Sequence, residues 1–163
     1  MKKFTLCALL LLLSVPLSAG ILGLEAGITG GVENWKLDAE GAETQSLKAI
    51  GLTVTFSPPI IPVGIRGDIE YAWKDVETPV GDIKLSDAFI LIAIQYSISP
   101  PVIPLSLYLG GGYEISSGFL VYGGLNLSLG LFAVFAETGY GMIFADEDNY
   151  THIPIRGGIK ISI

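Results

Sequence analysis

The sequence predicts an all-β fold, an eight-stranded antiparallel up-and-down transmembrane β-barrel, on three observations. Apolar and polar residues alternate at period two along most of the chain beyond residue 20, the pattern of strands with one apolar face. The alternating segments reach or exceed the ~9–11 residues that a tilted strand needs to cross a bilayer. The connections alternate too, polar and acidic at one end of the strands, short and uncharged at the other.

The chain begins MKKFTLCALLLLLSVPLSAG, with two lysines, an apolar run from Phe4 to Leu13, a break at Pro16 and small residues at Ser18 and Ala19. This is the layout of a secretory signal peptide, so residues 1–19 are expected to be removed and residues 20–163 to form the barrel. The run is shorter than the ~20 apolar residues of a spanning helix. Cys7 leaves with it, so the mature protein is expected to have no thiol, disulfide or cysteine-ligated metal. Without Lys2 and Lys3, seven basic residues face 16 acidic ones, a net charge of −9, which excludes nucleic acid as a partner.

Eight strands follow in order, at about residues 20–33, 47–57, 62–74, 84–98, 104–117, 118–129, 131–144 and 150–163. The first two put Gly23, Glu25, Gly27, Thr29, Gly51, Thr53 and Thr55 on their polar face. The third is the clearest: Val63, Ile65, Gly67, Ile69, Tyr71 and Trp73 take one face, and Gly64, Arg66, Asp68, Glu70, Ala72 and Lys74 the other. The fourth contains AFILIAIQY, apolar on both faces, so Phe89 and Leu91 have to pack inside. The fifth carries Gly110, Gly112 and Glu114 on its polar face, and the seventh Glu137. The last sets Ile153, Ile155, Ile159, Ile161 and Ile163 against Arg156, Gly158, Lys160 and Ser162.

Between strands, SPPIIP at 57–62 and SPPVIP at 99–104 recur 42 positions apart. Proline lacks the N–H and fixes φ, so each phrase separates two elements. Both read as turns between successive hairpins, with residues 57–62, 98–104 and 129–131 on one side of the membrane. The acidic connections, ENWKLDAEGAETQ, DVETPVGDI and ADEDN, then lie on the other.

Which face is inward follows from the company the charges keep. Glycine, serine and threonine share the charged face, as the crowded interior of a narrow barrel requires. Both signs occur at mid-strand, Glu25, Asp68, Glu70, Glu114 and Glu137 against Arg66, Arg156 and Lys160, with Lys48 and Lys74 nearer the rim; buried charges need such partners. Aromatics cluster near strand ends on the apolar face (Phe56, Tyr71, Trp73, Tyr96, Tyr113, Phe119, Tyr140, Phe144), like an interfacial girdle. A propeller would need at least four blades, and the mature chain holds three units of the repeat length. A lipocalin-like carrier would need an apolar lumen and a soluble exterior.

The final octet RGGIKISI resembles the assembly signal of bacterial outer-membrane barrels: Arg156, Gly158 two residues on, then Ile161 and Ile163 third from last and last, where that family more often ends in an aromatic residue. With the leader and eight strands, the chain resembles the small barrels of the OmpA transmembrane-domain and OmpX type. The resemblance implies an outer-membrane location, both termini in the periplasm, outer-membrane lipid including lipopolysaccharide as surroundings, and barrel assembly machinery as a partner in biogenesis. An extracellular partner is not specified.

An eight-stranded barrel is only wide enough for its own side chains or one small ligand. Glu25, Arg66, Asp68, Glu70, Glu114, Glu137, Arg156 and Lys160 are therefore expected to form a charge network that plugs the lumen, giving a structural or surface-interaction protein without catalysis or cofactor. The alternative is a small channel or transporter for ions or a small apolar solute. Outer-leaflet lipid deacylases on barrels of this size carry a serine two residues from the histidine; here that position is Pro154, so His152 reads as a solvated loop residue. Asp146, Glu147 and Asp148 could gather a divalent cation weakly through hard oxygen ligands, but no metal-site motif is present.

Overall fold

The computed structural model describes residues 23–37, 43–58, 61–78, 81–100, 103–115, 118–144 and 149–163. The segment expected to be a signal peptide, residues 1–19, and Asp146, Glu147 and Asp148 lie outside the described residues. Eight strands, β1 (Leu24–Leu37), β2 (Gln45–Phe56), β3 (Val63–Thr78), β4 (Gly81–Ile98), β5 (Leu105–Glu114), β6 (Gly118–Leu129), β7 (Phe132–Phe144) and β8 (Asn149–Ser162), follow one another in chain order. Each pairs antiparallel with its neighbours, and β1 pairs with β8 to close the barrel.

The register sets the dimensions. Partners followed around the barrel from Glu25 run through Thr55, Arg66, Ala93, Gly112, Leu120, Gly141 and His152 and return to β1 at Trp35, ten residues beyond the start. For eight strands, that stagger tilts them by roughly 40° and gives a backbone radius of about 8 Å. The interior has room for side chains and little else.

Alternation sorts the residues as the sequence predicts. Ile28, Leu52, Ile65, Ile69, Ile92, Ile94, Leu109, Val121, Val134 and Ile155 face outward and are exposed, Ile65 at 61%. Arg66, Asp68, Glu70, Arg156 and Lys160 face inward and are buried, as are Phe89 and Leu91. The outward apolar positions span Val63 to Trp73 on β3 and Ile153 on β8 to Ile163 just past its end. At this tilt, either run covers about 25 Å of barrel height, the thickness of a hydrocarbon band.

The uncharged end is knitted by a repeated backbone device. The N–H of Ser57, Ser97, Ser128 and Ser162 donates to the carbonyl of Gly23, Pro62, Pro104 and Leu131 respectively, so one serine closes the base of each of the four hairpins. Inside the two proline phrases, Ile61 N–H donates to Pro58 O (3.1 Å) and Ile103 N–H to Pro100 O (3.4 Å). Gly130, with φ 73°, makes the third connection tight. The described parts of these connections, residues 57–58, 61–62, 98–100, 103–104 and 129–131, thus share one end with Gly23 and Ile163.

Three strands run longer than expected. β1 extends beyond residue 33 to Leu37, because Trp35 continues the inward phase of Glu33 where the sequence reads as loop. β3 and β4 continue to Thr78 and from Gly81, pairing Asp75 with Lys84 beyond the apolar belt. In addition, Pro154 sits inside β8. The β7–β8 pairing is interrupted, without a change of register, between Thr138↔Ile155 and Gly141↔His152, where proline offers no N–H, and the Thr138 hydroxyl donates to Pro154 O at 2.9 Å.

Candidate functional site

The lumen is filled in tiers, and five of its large side chains lie over a glycine of the neighbouring strand. A Cβ on Gly110 would strike the Tyr122 ring, on Gly124 the Tyr108 hydroxyl, on Gly141 the His152 imidazole, on Gly158 the Phe135 ring and on Gly27 the Lys160 stem. In every case the glycine and the bulky residue are register partners. The glycines of the charged face are the space into which its long side chains fold.

In the lowest tier, Lys160 Nζ stands 3.9 Å from Glu25 and over the rings of Tyr108 and Phe135, 5.3 and 4.7 Å from their centroids. The middle tier is built on Arg66, which is fully buried. Its two terminal nitrogens donate to Glu137 at 2.6 and 2.8 Å, and its Nε donates to Asp68 Oδ1 at 2.8 Å. Such fork-to-fork pairing is geometrically specific. Tyr108 donates to Glu137 Oε2 at 2.8 Å, and the Tyr122 ring lies under the Arg66 guanidinium, 4.7 Å away.

Arg156 links this tier to the next. Its Nη1 lies 3.8 Å from both Asp68 and Glu137, while Nε and Nη2 reach Glu33 Oε1 at 3.0 and 2.9 Å and Nε also lies 3.0 Å from Glu70. Above it, His152 is bracketed by Glu33 at Nδ1 and Glu114 at Nε2, each 3.0 Å away. An apolar cap of Leu47, Ala49, Ala72, Phe89 and Ile143, packed with Trp35 and Tyr150, covers the network at the loop end. A second apolar cluster, with Leu91, Ala93 and Leu120, fills the wall beside Tyr108 and Tyr122.

The geometry brings Arg66, Asp68, Glu70, Glu114, Glu137 and Arg156 into one ion-paired stack with Glu33 and His152, and places Glu25 and Lys160 together below it. Two readings of the sequence need correction. His152 is not a solvated loop residue: it is 1% exposed and continues the inward phase of Pro154, Arg156, Gly158 and Lys160. Lys48 is not on the charged face but on the outward one, opposite Trp73. Glu33 was missed because it opens a polar run, yet its even spacing from Glu25, Gly27, Thr29 and Gly31 marked it as inward. Lys74 lies at the rim and donates to Gln45 Oε1 at 2.6 Å. Arg156 is in this network, Gly158 makes room for Phe135, and Ile161 and Ile163 are exposed outward.

Among the described residues, no three His, Cys, Asp or Glu side chains converge as a metal-ligand group. Among the described residues, no hydroxyl nucleophile donates to His152, whose two ring nitrogens both face carboxylates.

No protein-family model matches the chain, and no curated protein matches it in sequence. Its fold is similar to that of Neisserial surface protein A, with 13% identity over 86% of this chain and 97% of that one and a TM-score of 0.69. It is also similar to Ail, the attachment invasion locus protein of Yersinia pestis, solved with the heparin analogue sucrose octasulfate. There the identity is 15% over 85% of this chain and 99% of that one, and the TM-score is 0.54. At this identity the likeness is one of fold: the closed eight-stranded barrel of small outer-membrane proteins.

Proposed function

We propose that this chain is an outer-membrane barrel with a structural or surface-interaction role and a lumen closed by its own charged side chains. The observation that carries the reading is the inverted exterior. Isoleucine, leucine and valine cover the outside over the height of a hydrocarbon layer, and charge is confined to the lumen and the loop end. Of the 16 acidic residues, six face the lumen, and the other ten fall in or beside the connections at the loop end. Aromatic residues support the same reading. Tyr71 stacks on Trp73 at 5.8 Å and Phe119 meets Phe144 at 6.0 Å near the loop end, while Phe56, Tyr96 and Phe132 ring the other.

In this reading the serine-knitted end and both termini face the periplasm, the acidic loops face outward, and the exterior contacts lipid, including lipopolysaccharide. Folding would pass through the barrel assembly machinery, with Arg156, Gly158, Ile161 and Ile163 as the signal. The acidic loops disfavour a sulfated polyanion of the kind bound to Ail and favour a cationic outer partner. Planar-bilayer recordings of the purified barrel test the closed lumen: no stable conductance is expected. Discrete channels whose conductance changes in Asp68→Asn would overturn it and support the channel reading.

A further inference from the structure

Among the described residues, the charges enclosed in the lumen do not cancel. Glu33, Asp68, Glu70, Glu114 and Glu137 are buried there with Arg66, Arg156, Lys160 and His152. Both ring nitrogens of His152 face a carboxylate oxygen at 3.0 Å, and only an imidazolium donates from both. Even with that charge counted, five carboxylates stand against four cations, and a neutral ring would widen the gap. Glu25 is left out of this balance because its side chain lies at the mouth, 20% exposed. A buried charge without compensation is too costly to keep, so something inside neutralises the surplus.

The geometry singles out Glu70. Asp68 and Glu137 are held by Arg66, Glu114 by His152, and Glu33 by both Arg156 and His152. Glu70 has only a share of the Arg156 Nε that also serves Glu33, 3.0 Å from each. Its second oxygen, Oε1, is buried with no hydrogen-bond partner among the described residues. Beside it, Glu70 pairs in register with Gly51, which pairs on its other side with Thr29. The hydroxyls of Thr29 and Thr53 are also buried without a partner. Oxygen donors carrying one unmatched negative charge are the chemistry of a small, hard, singly charged ion.

We propose that the closed lumen holds one exchangeable monovalent cation at Glu70, either a proton shared with Glu33 or an alkali-metal ion supported by the neighbouring hydroxyls. The inference rests on the closed lumen, but the two fail separately, since conductance reports closure and melting reports the cation. The whole barrel in detergent is melted in two series. Sodium replaces choline at constant ionic strength and pH in one, and pH is varied at constant sodium in the other.

A melting temperature that rises with sodium identifies the alkali ion. One that rises as pH falls, with a carboxylic-acid C=O band in the infrared that disappears in Glu70→Gln, identifies the proton. Glu70→Gln removes the surplus charge and keeps the shape, so it should melt at or above the wild-type temperature and lose the response. Wild-type melting that follows neither variable overturns the proposal, as does a Glu70→Gln barrel that keeps the wild-type response or fails to fold.

Discussion

Single residues carry the interior through two kinds of fit, charge against charge and side chain against glycine. Removing Glu137 leaves Arg66 enclosed without its bidentate partner. Breaking a buried pair in this way costs roughly 3–5 kcal/mol, so Glu137→Leu should lose about that much stability in urea unfolding from lipid vesicles. The double variant Arg66→Met, Glu137→Leu should recover only part of it, because an apolar pair of similar volume replaces a desolvated one while the buried Asp68 loses the guanidinium that holds it. A single variant within the error of wild type would mean that the pair is solvated. Gly141→Ala pushes a methyl into the imidazole of His152, and overpacking of this kind costs about 1–3 kcal/mol; the same unfolding assay measures it. The mid-strand charges were readable because Arg66, Asp68 and Glu70 alternate with isoleucine. Glu33 and His152 were not, because each stands beside a polar connection where alternation gives no contrast, and proline two residues after His152 reads as a break.

At the scale of the element, the hairpin is the repeating unit, and the four serine N–H bonds at the base are its signature. The proline phrases supply a partner to three of the four bases, through Ser57, Pro62 and Pro104; the fourth, Ser162 with Leu131, lies outside them and shows only in the backbone. Gly130 tests the logic of the tightest connection. It has positive φ and nothing within 4 Å of where a Cβ would stand, so a side chain there meets backbone strain alone. Gly130→Ala should cost about 1–2 kcal/mol and Gly130→Asn less, both read from urea midpoints. An alanine variant as stable as wild type would show that the turn relaxes. Pro154 shows where the propensity rule yields. A closed barrel has no edge strand to take a proline, yet β8 keeps one at a break in its β7 ladder, with its carbonyl held by Thr138.

For the whole molecule, a ten-residue stagger over eight strands fixes tilt, radius and belt height together, and period-two alternation then decides what faces outward. Fold class and facing were legible because every strand repeats the same contrast. The stagger was not, because register depends on which residues pair across strands and no single strand encodes it. The acidic loop end yields its own prediction: the purified barrel should pass through a heparin column at low salt, and salt-sensitive retention would contradict the charge argument.

The central claim, that the isoleucine face meets lipid and the charged face is sealed inside, is tested most directly by nitroxide labels placed singly at residues 153–163 of β8 in lipid vesicles. The account predicts that collision with oxygen, which partitions into lipid, peaks at the odd-numbered positions and is greatest near Ile159, while the even-numbered positions are shielded from oxygen and from water-soluble nickel complexes alike. Nickel access at the odd-numbered positions, or oxygen access at the even-numbered ones, would contradict it.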